Sequence, residues 1–139
     1  MHDSDSGSDR AGLKAAIRAA GRELGFADIG FARAEVGPAA GRLRDWLAAG
    51  CHGEMDYMAR HADLRAEPQR LHPGTITVIT AAVDYLPLRE VPGRPGQAAI
   101  SRYALGRDYH KVVRQRLQRL AEATTALAGP FGYRVFSDS

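Results

Sequence analysis

The sequence predicts an α/β fold in which helices flank a mixed sheet, and three observations carry that expectation. Apolar residues recur at helical spacing in two long stretches, one after Leu13 and one after Asp108. Between them lies T-I-T-V-I-T-A-A-V-D-Y, Thr75 to Tyr85, a run dominated by β-branched residues. Shorter helix-like and strand-like pieces alternate around it, the order that layers helices on a sheet. With 139 residues and no internal repeat, the chain amounts to roughly one domain.

Met1 to Gly12 is rich in Ser, Asp and Gly and nearly devoid of apolar side chains, so residues 1–12 are expected to be a disordered tail and 13–139 the folded portion. Leu13, Ala16, Ile17, Ala20 and Leu24 then share one helical face, with Arg18 and Arg22 opposite and Gly25 as a C-terminal stop. Phe26 to Ala32 brings Phe26, Ile29 and Phe31 into a short strand-like run. Pro38 suits the first turn of a second helix, whose inward stripe is Leu43, Trp46 and Leu47, ending at Gly50. His52 to His61 reads as a further helical piece packed through Met55, Tyr57 and Met58, and Pro73-Gly74 marks a turn.

Thr75 to Tyr85 has a near-continuous apolar middle, which predicts a central strand buried on both faces. Pro87 to Gly96 is a loop punctuated by Pro and Gly, and Ala98 to Tyr103 can form another strand. Asp108 is the expected N-cap of a long helix that ends at Gly129-Pro130. Tyr133 to Phe136 reads as a last short strand.

Hydrophobic residues make up 45% and charged residues 25%, ordinary for a globular chain, so a fibrous or fully disordered protein is excluded. The net charge of +3 understates the local field, because Arg102, Arg107, Lys111, Arg114, Arg116 and Arg119 crowd one stretch, which suits a phosphate-bearing partner and equally an ordinary solvated helix face. Cys51 is the only cysteine, which excludes an internal disulfide and any metal or iron-sulfur site built from several thiolates of this chain. No stretch approaches the roughly 18 apolar residues of a membrane span, and the polar start lacks signal-peptide order. A soluble, cytoplasmic protein is expected.

The densest chemistry is in I-S-R-Y-A-L-G-R-D-Y-H-K, Ile100 to Lys111. It collects cations, tyrosines and a histidine around Gly106 at the mouth of the long helix, where loops on a rigid scaffold carry binding and catalysis. On a wheel of about 100° per residue, His110 falls on the same side as Val113, Leu117, Leu120, Ala121, Thr124 and Leu127, so it is expected to face the interior or a cleft. A helix N-terminus favours a bound anion beside it. Tyr103 and Tyr109 offer flat faces for a planar ligand and hydroxyls to orient it, although packing is the commoner use of such rings. Asp138 follows Val135-Phe136 at a probable strand end, where open α/β sheets place ligand-binding groups and where turn aspartates are also common. Facing an apolar cofactor surface, its carboxyl would stay protonated and become a usable acid. His52, Glu54, Asp56 and His61 in Gly50 to His61 lack the spacing that sets two imidazoles and a base on one helical face, so no metal site is expected, and Cys51 should be inert or partly buried.

Four blocks taken together carry a resemblance: G-C-H-G-E-M-D-Y-M at Gly50 to Met58, R-L-H-P-G-T-I-T-V-I at Arg70 to Ile79, the Ile100 to Lys111 run, and F-S-D-S at the end. In this order they resemble the N-terminal, cobalamin-binding portion of the epoxyqueuosine reductases, covering nearly everything after Ala11. The resemblance implies a reductase that converts epoxyqueuosine to queuosine at the wobble position of transfer RNA, with cobalamin carrying the redox chemistry. It implies Asp138 as the acid that protonates the departing oxygen, and Ser101, Arg102, Tyr103, Tyr109 and His110 as residues beside the cofactor. Arg107 and Lys111 are expected to meet the substrate, its phosphates or the cofactor's fringe, and the partner is a tRNA anticodon loop, whose bases can be read without opening a duplex. The family also carries two 4Fe-4S clusters and a helical-repeat region. Their ligands and segments are not in these residues, so activity is expected of the parent protein rather than of this portion alone, as a monomer with its electron donor left open.

Two other readings fit the same residues. A non-enzymatic RNA- or nucleotide-binding module would use the basic helix and show steep salt dependence without corrinoid affinity. A corrinoid reductase acting on a different substrate would share the cofactor but not the RNA.

Overall fold

The computed structural model describes residues 3–84 and 109–137. In chain order these form α1 (Asp3–Glu23), β1 (Asp28–Arg33), α2 (Pro38–Ala48), α3 (Asp56–Arg60), α4 (Ala62–Ala66), a 3-10 turn (Pro68–Arg70), β2 (Thr77–Ala82) and α5 (Tyr109–Ala128). The fold is mixed α/β: β1 and β2 pair in a two-stranded sheet. The pairing is antiparallel, since the Ala27 N–H donates to the Ala82 carbonyl at 2.8 Å and the Ala34 N–H to the Ile76 carbonyl at 3.1 Å. The chain divides into two compact units, Met1–Ile29 with Ala81–Ser139, and Gly30–Thr80.

In the first unit α1 packs on α5, and the buried apolar residues are Ile17, Phe26, Ile29 and Leu120. Each contributes about 1.5–3 kcal/mol through apolar area removed from water. Ile17 lies on the apolar stripe expected from the sequence. Gly21, one turn later, is also buried, and a methyl placed there would sit 2.5 Å from Cγ1 of Ile29. The helix backbone therefore lies directly against the strand at this point. Arg18, expected on the solvent side, is half-buried and donates from Nε to the Ile29 carbonyl at 3.2 Å. Buried Thr124 returns its hydroxyl to the Leu120 carbonyl at 2.7 Å, which satisfies its only polar side-chain group.

Gly25 ends α1 as the sequence predicts. Its φ is 85°, its N–H donates to the Arg22 carbonyl, and the Phe26 N–H reaches back to the Gly21 carbonyl, each at 3.0 Å. This pair of bonds closes a left-handed helix cap and turns the buried Phe26 into the core. The guanidinium of Arg116 stands beside the cap, 3.4 Å from where a methyl on Gly25 would be, which puts a cation at the negative end of α1. Gly25→Ala is expected to lower stability by about 1 kcal/mol, because a Cβ is strained at this φ. A urea titration should show an earlier midpoint with an unchanged slope.

The second unit holds α2, α3, α4 and the 3-10 turn. Pro38 opens α2 at the first position, and the helix closes through Gly50 N–H to Leu47 and Cys51 N–H to Trp46. Leu43, Trp46 and Leu47 are half-buried rather than buried. The helical piece expected over His52 to His61 is shorter, starting at Asp56, and Met55 and Tyr57 are 42% and 43% exposed rather than packed. Tyr57 is instead tied locally, its hydroxyl donating to Sδ of Met55 and the Arg65 guanidinium lying 5.9 Å from its ring centre. The Pro73-Gly74 turn forms and is closed by Thr75, whose hydroxyl donates to the His72 carbonyl at 2.6 Å.

Three expectations are corrected. The first helix begins at Asp3 rather than Leu13. Once residues 13–23 are nucleated, each further residue adds a hydrogen bond at little cost, and no proline interrupts the extension. The strand expected to be central and buried on both faces runs only over Thr77–Ala82 and contains no buried residue: Val78, Ile79 and Ala81 are half-buried, the others exposed. Among the described residues it has one hydrogen-bonded neighbour, β1. Tyr133 to Phe136 forms no strand, for a reason given below. The loop at Pro87 to Gly96, the strand at Ala98 to Tyr103 and the Asp108 cap lie outside the described residues.

Candidate functional site

Tyr109, His110 and Lys111 form the first turn of α5. The rings of Tyr109 and His110 stack with centroids 4.0 Å apart and an interplanar angle of 27°, and both residues are exposed. Of the expected position in the interior or a cleft, the exposure of His110 removes the interior. The helical wheel orders the stripe rightly, but the core it meets lies at Leu120 and Thr124. His110 is ten residues earlier, about 15 Å along the axis and beyond that cover.

After α5 stops at Ala128, the segment 131–137 runs back along the helix. Gln118 Nε2 donates to the Tyr133 hydroxyl at 2.7 Å, and the Ser137 hydroxyl makes a long contact of 3.4 Å to the His110 carbonyl. Four extended residues cover about 13 Å and eight helical residues about 12 Å, so the two contacts fit one antiparallel run. This explains why Tyr133 to Phe136 runs along α5 without being a strand: its anchors are the Gln118 side chain, the His110 carbonyl and its own aromatic contacts, with Phe131 edge-on to Tyr133 and the Arg134 guanidinium 5.0 Å from the Phe136 ring centre. The run brings Ser137 to the first turn of α5. Asp138 is the next residue in the chain and lies outside the described residues, as do Ser101, Arg102, Tyr103 and Arg107.

Of the sequence-predicted site residues, the structure thus places Tyr109, His110 and Lys111 on one helical turn; Ser137, not among those predicted, lies against it. A corrin is a broad disc with apolar faces and an amide fringe. Such a ligand could be held here, where an exposed, stacked aromatic pair offers a flat surface and a hydroxyl and ring nitrogens at its edge offer hydrogen bonds to amides.

The polar face of α5 carries a shallow groove lined by Lys111, Arg114, Gln115 and Gln118. Sequence reasoning singled out Lys111 there but not Gln118, whose tie to Tyr133 spans 15 residues and leaves no periodic signal.

The second unit offers less. Among the described residues no three His, Cys, Asp or Glu side chains gather as a metal site. His52 lies 6.0 Å from Trp46, ring centre to ring centre, and its Nδ1 is buried without a hydrogen-bond partner. Cys51, expected to be inert or partly buried, is exposed, because it follows the Gly50 cap where α2 gives way to a surface turn. No helix among the described residues is long and apolar enough to cross a membrane.

Comparison with known proteins bears on the whole chain. The family described as "Epoxyqueuosine reductase QueG, DUF1730" matches residues 65–139. The epoxyqueuosine reductase of Pseudomonas aeruginosa is 50% identical over 143 residues, covering 100% of this chain and 40% of its own length. That of Alicycliphilus denitrificans is 51% identical over 128 residues, covering 85% of this chain and 36% of its own length. The Escherichia coli protein of the same name is 42% identical over 127 residues, with 88% and 34% covered. The chain thus spans about two fifths or less of these curated relatives. No solved structure matches it.

Proposed function

The chain belongs to the epoxyqueuosine reductase family, and on that premise we propose that it forms part of the cobalamin-binding portion of a protein that reduces epoxyqueuosine to queuosine in transfer RNA. The reaction takes up two electrons and two protons, turning the epoxide into an alkene and water. Cobalamin, when bound, supplies the redox chemistry. The electrons would arrive through two 4Fe-4S clusters held by cysteines outside these 139 residues, which contain Cys51 alone.

The chain's own residues bind, orient and deliver a proton. Tyr109 and His110 give the cofactor a flat aromatic edge at the start of α5, with Ser101, Arg102 and Tyr103 alongside. Arg107 and Lys111 seat phosphates of the anticodon loop, so the site works in the cytoplasm where transfer RNA is. Asp138 gives its carboxyl proton to the departing oxygen. The observation that carries this assignment is the meeting of Ser137 with the His110 carbonyl, because it leads the chain to the aromatic turn one peptide link before the proposed acid.

In the full-length protein, addition of cobalamin is expected to change the visible spectrum, and a low-potential reductant should then convert epoxyqueuosine in tRNA, followed by mass spectrometry of the released nucleosides. A protein that leaves the corrinoid spectrum unaltered and the epoxide intact would overturn the proposal. Spectral change without conversion would point to a corrinoid reductase of another substrate.

A further inference from the structure

The groove on α5 has a composition that the cofactor does not account for. Lys111 and Arg114 stand three residues apart, on the same face of the helix and away from the buried stripe. Among the described residues no carboxylate lines the groove, Glu122 meeting Gln118 at its end, and neither cation has an ion-pair partner. Arg116 differs, since its guanidinium is taken up at the end of α1 beside Gly25.

Gln118 adds a second, independent feature. Its Nε2 donates to Oε1 of Glu122 at 3.2 Å and to the Tyr133 hydroxyl at 2.7 Å. A carboxylate oxygen cannot donate, so the nitrogen must face Glu122 and the orientation of the amide is fixed. Both amide protons are therefore engaged, and what the Gln118 side chain has left to offer a ligand is an acceptor, Oε1. A row of phosphates alone offers nothing to such an acceptor. A ribose 2′-hydroxyl does, because it can donate.

We propose that Lys111, Arg114, Gln115 and Gln118 form a binding surface for the sugar-phosphate backbone of RNA, the two cations taking phosphates and the Gln118 carbonyl taking a 2′-hydroxyl. The family reading supplies only the identity of that RNA; the surface itself follows from its charge and donor pattern.

The test measures binding of a synthetic anticodon stem-loop to the full-length protein across a salt series, by fluorescence anisotropy. Lys111→Gln with Arg114→Gln is expected to reduce the slope of log affinity against log salt by roughly 1.5, as two lost phosphate contacts should. Arg119→Gln, on the flank of the same helix, should change the slope by less than half as much. Gln118→Leu should leave the slope in place and lower the preference for RNA over DNA of the same sequence by about threefold to tenfold. Cobalamin titrations should change less than RNA binding in the double variant and stay the same in Arg119→Gln. An unchanged slope in the double variant, an equal effect per charge from Arg119→Gln, or weakened cobalamin binding in place of RNA binding would each overturn the surface.

If a variant's thermal midpoint falls, the unmodified protein still decides: it must bind the stem-loop more tightly than its DNA counterpart, and equal binding rejects the role of Gln118. Failure of this surface is separable from failure of the family reading. Epoxide turnover with unaltered KM and salt slope in the double variant would remove the groove alone, whereas salt-dependent RNA binding through the groove without any turnover would remove the reductase reading alone.

Discussion

Asp138→Asn in the full-length protein is expected to slow epoxide reduction by about 10²- to 10⁴-fold while the corrinoid spectrum stays that of the unmodified protein. The ring oxygen of an epoxide cannot depart as water without taking up protons, and a positioned acid lowers the barrier to that step. Asparagine keeps the shape of aspartate and its capacity to hydrogen-bond, but it has no proton of comparable acidity to give. Binding and chemistry should therefore separate. The Ser137 hydroxyl meets the His110 carbonyl in the first turn of α5, and Asp138 is the next residue in the sequence. Single-turnover assays with tRNA, read by nucleoside mass spectrometry, check it. Undiminished turnover would remove Asp138 from the chemistry, and joint loss of spectrum and turnover would make its role one of holding the cofactor.

The second large effect concerns the contact of α1 with β1. Gly21→Ala would raise stability by about 1 kcal/mol on helix propensity alone. The opposite sign is expected, a loss of about 1–3 kcal/mol, because the added methyl would stand 2.5 Å from Cγ1 and 2.8 Å from Cδ1 of Ile29. Ile29 is 2% exposed and has little room to withdraw. Ile29→Ala by itself should cost about 2–5 kcal/mol through the cavity it leaves. Combined, the two substitutions should be less harmful than their sum, since the methyl at position 21 enters the space vacated at 29. Urea unfolding of all four proteins measures the coupling. A stabilised Gly21→Ala variant would show that helix and strand are not in such close apposition.

Much of this architecture was legible in the chain because short-range chemistry fixes it. The helical stripe through Ile17, the Gly25 stop, Pro38 at the head of α2 and the Pro73-Gly74 turn each rest on a few neighbouring residues, and each forms as expected. What failed depended on partners distant in sequence. The depth of burial of β2 is set by what lies on its two faces, which the pattern T-V-I-T-A-A cannot report. The extension of α1 to Asp3 reflects cooperativity rather than composition. His110 was assigned the right side of α5 but the wrong degree of cover, because a helical wheel carries no information about where along the axis a neighbour ends. The Gln118–Tyr133 tie and the close approach at Gly21 join residues through space alone. The motif blocks led to the family that the relatives share.

The uninterrupted course of α5 has a mechanical corollary. His110 and Gln118 belong to one stiff rod and stand about 12 Å apart along it, a span that neither thermal bending nor loop motion alters much. A strand of RNA gripped at Gln118 would therefore present to the aromatic turn whichever nucleotide lies that far along its backbone. The helix would act as a gauge, selecting a base by reach before any recognition of its identity, and lengthening it by one turn should shift the position addressed.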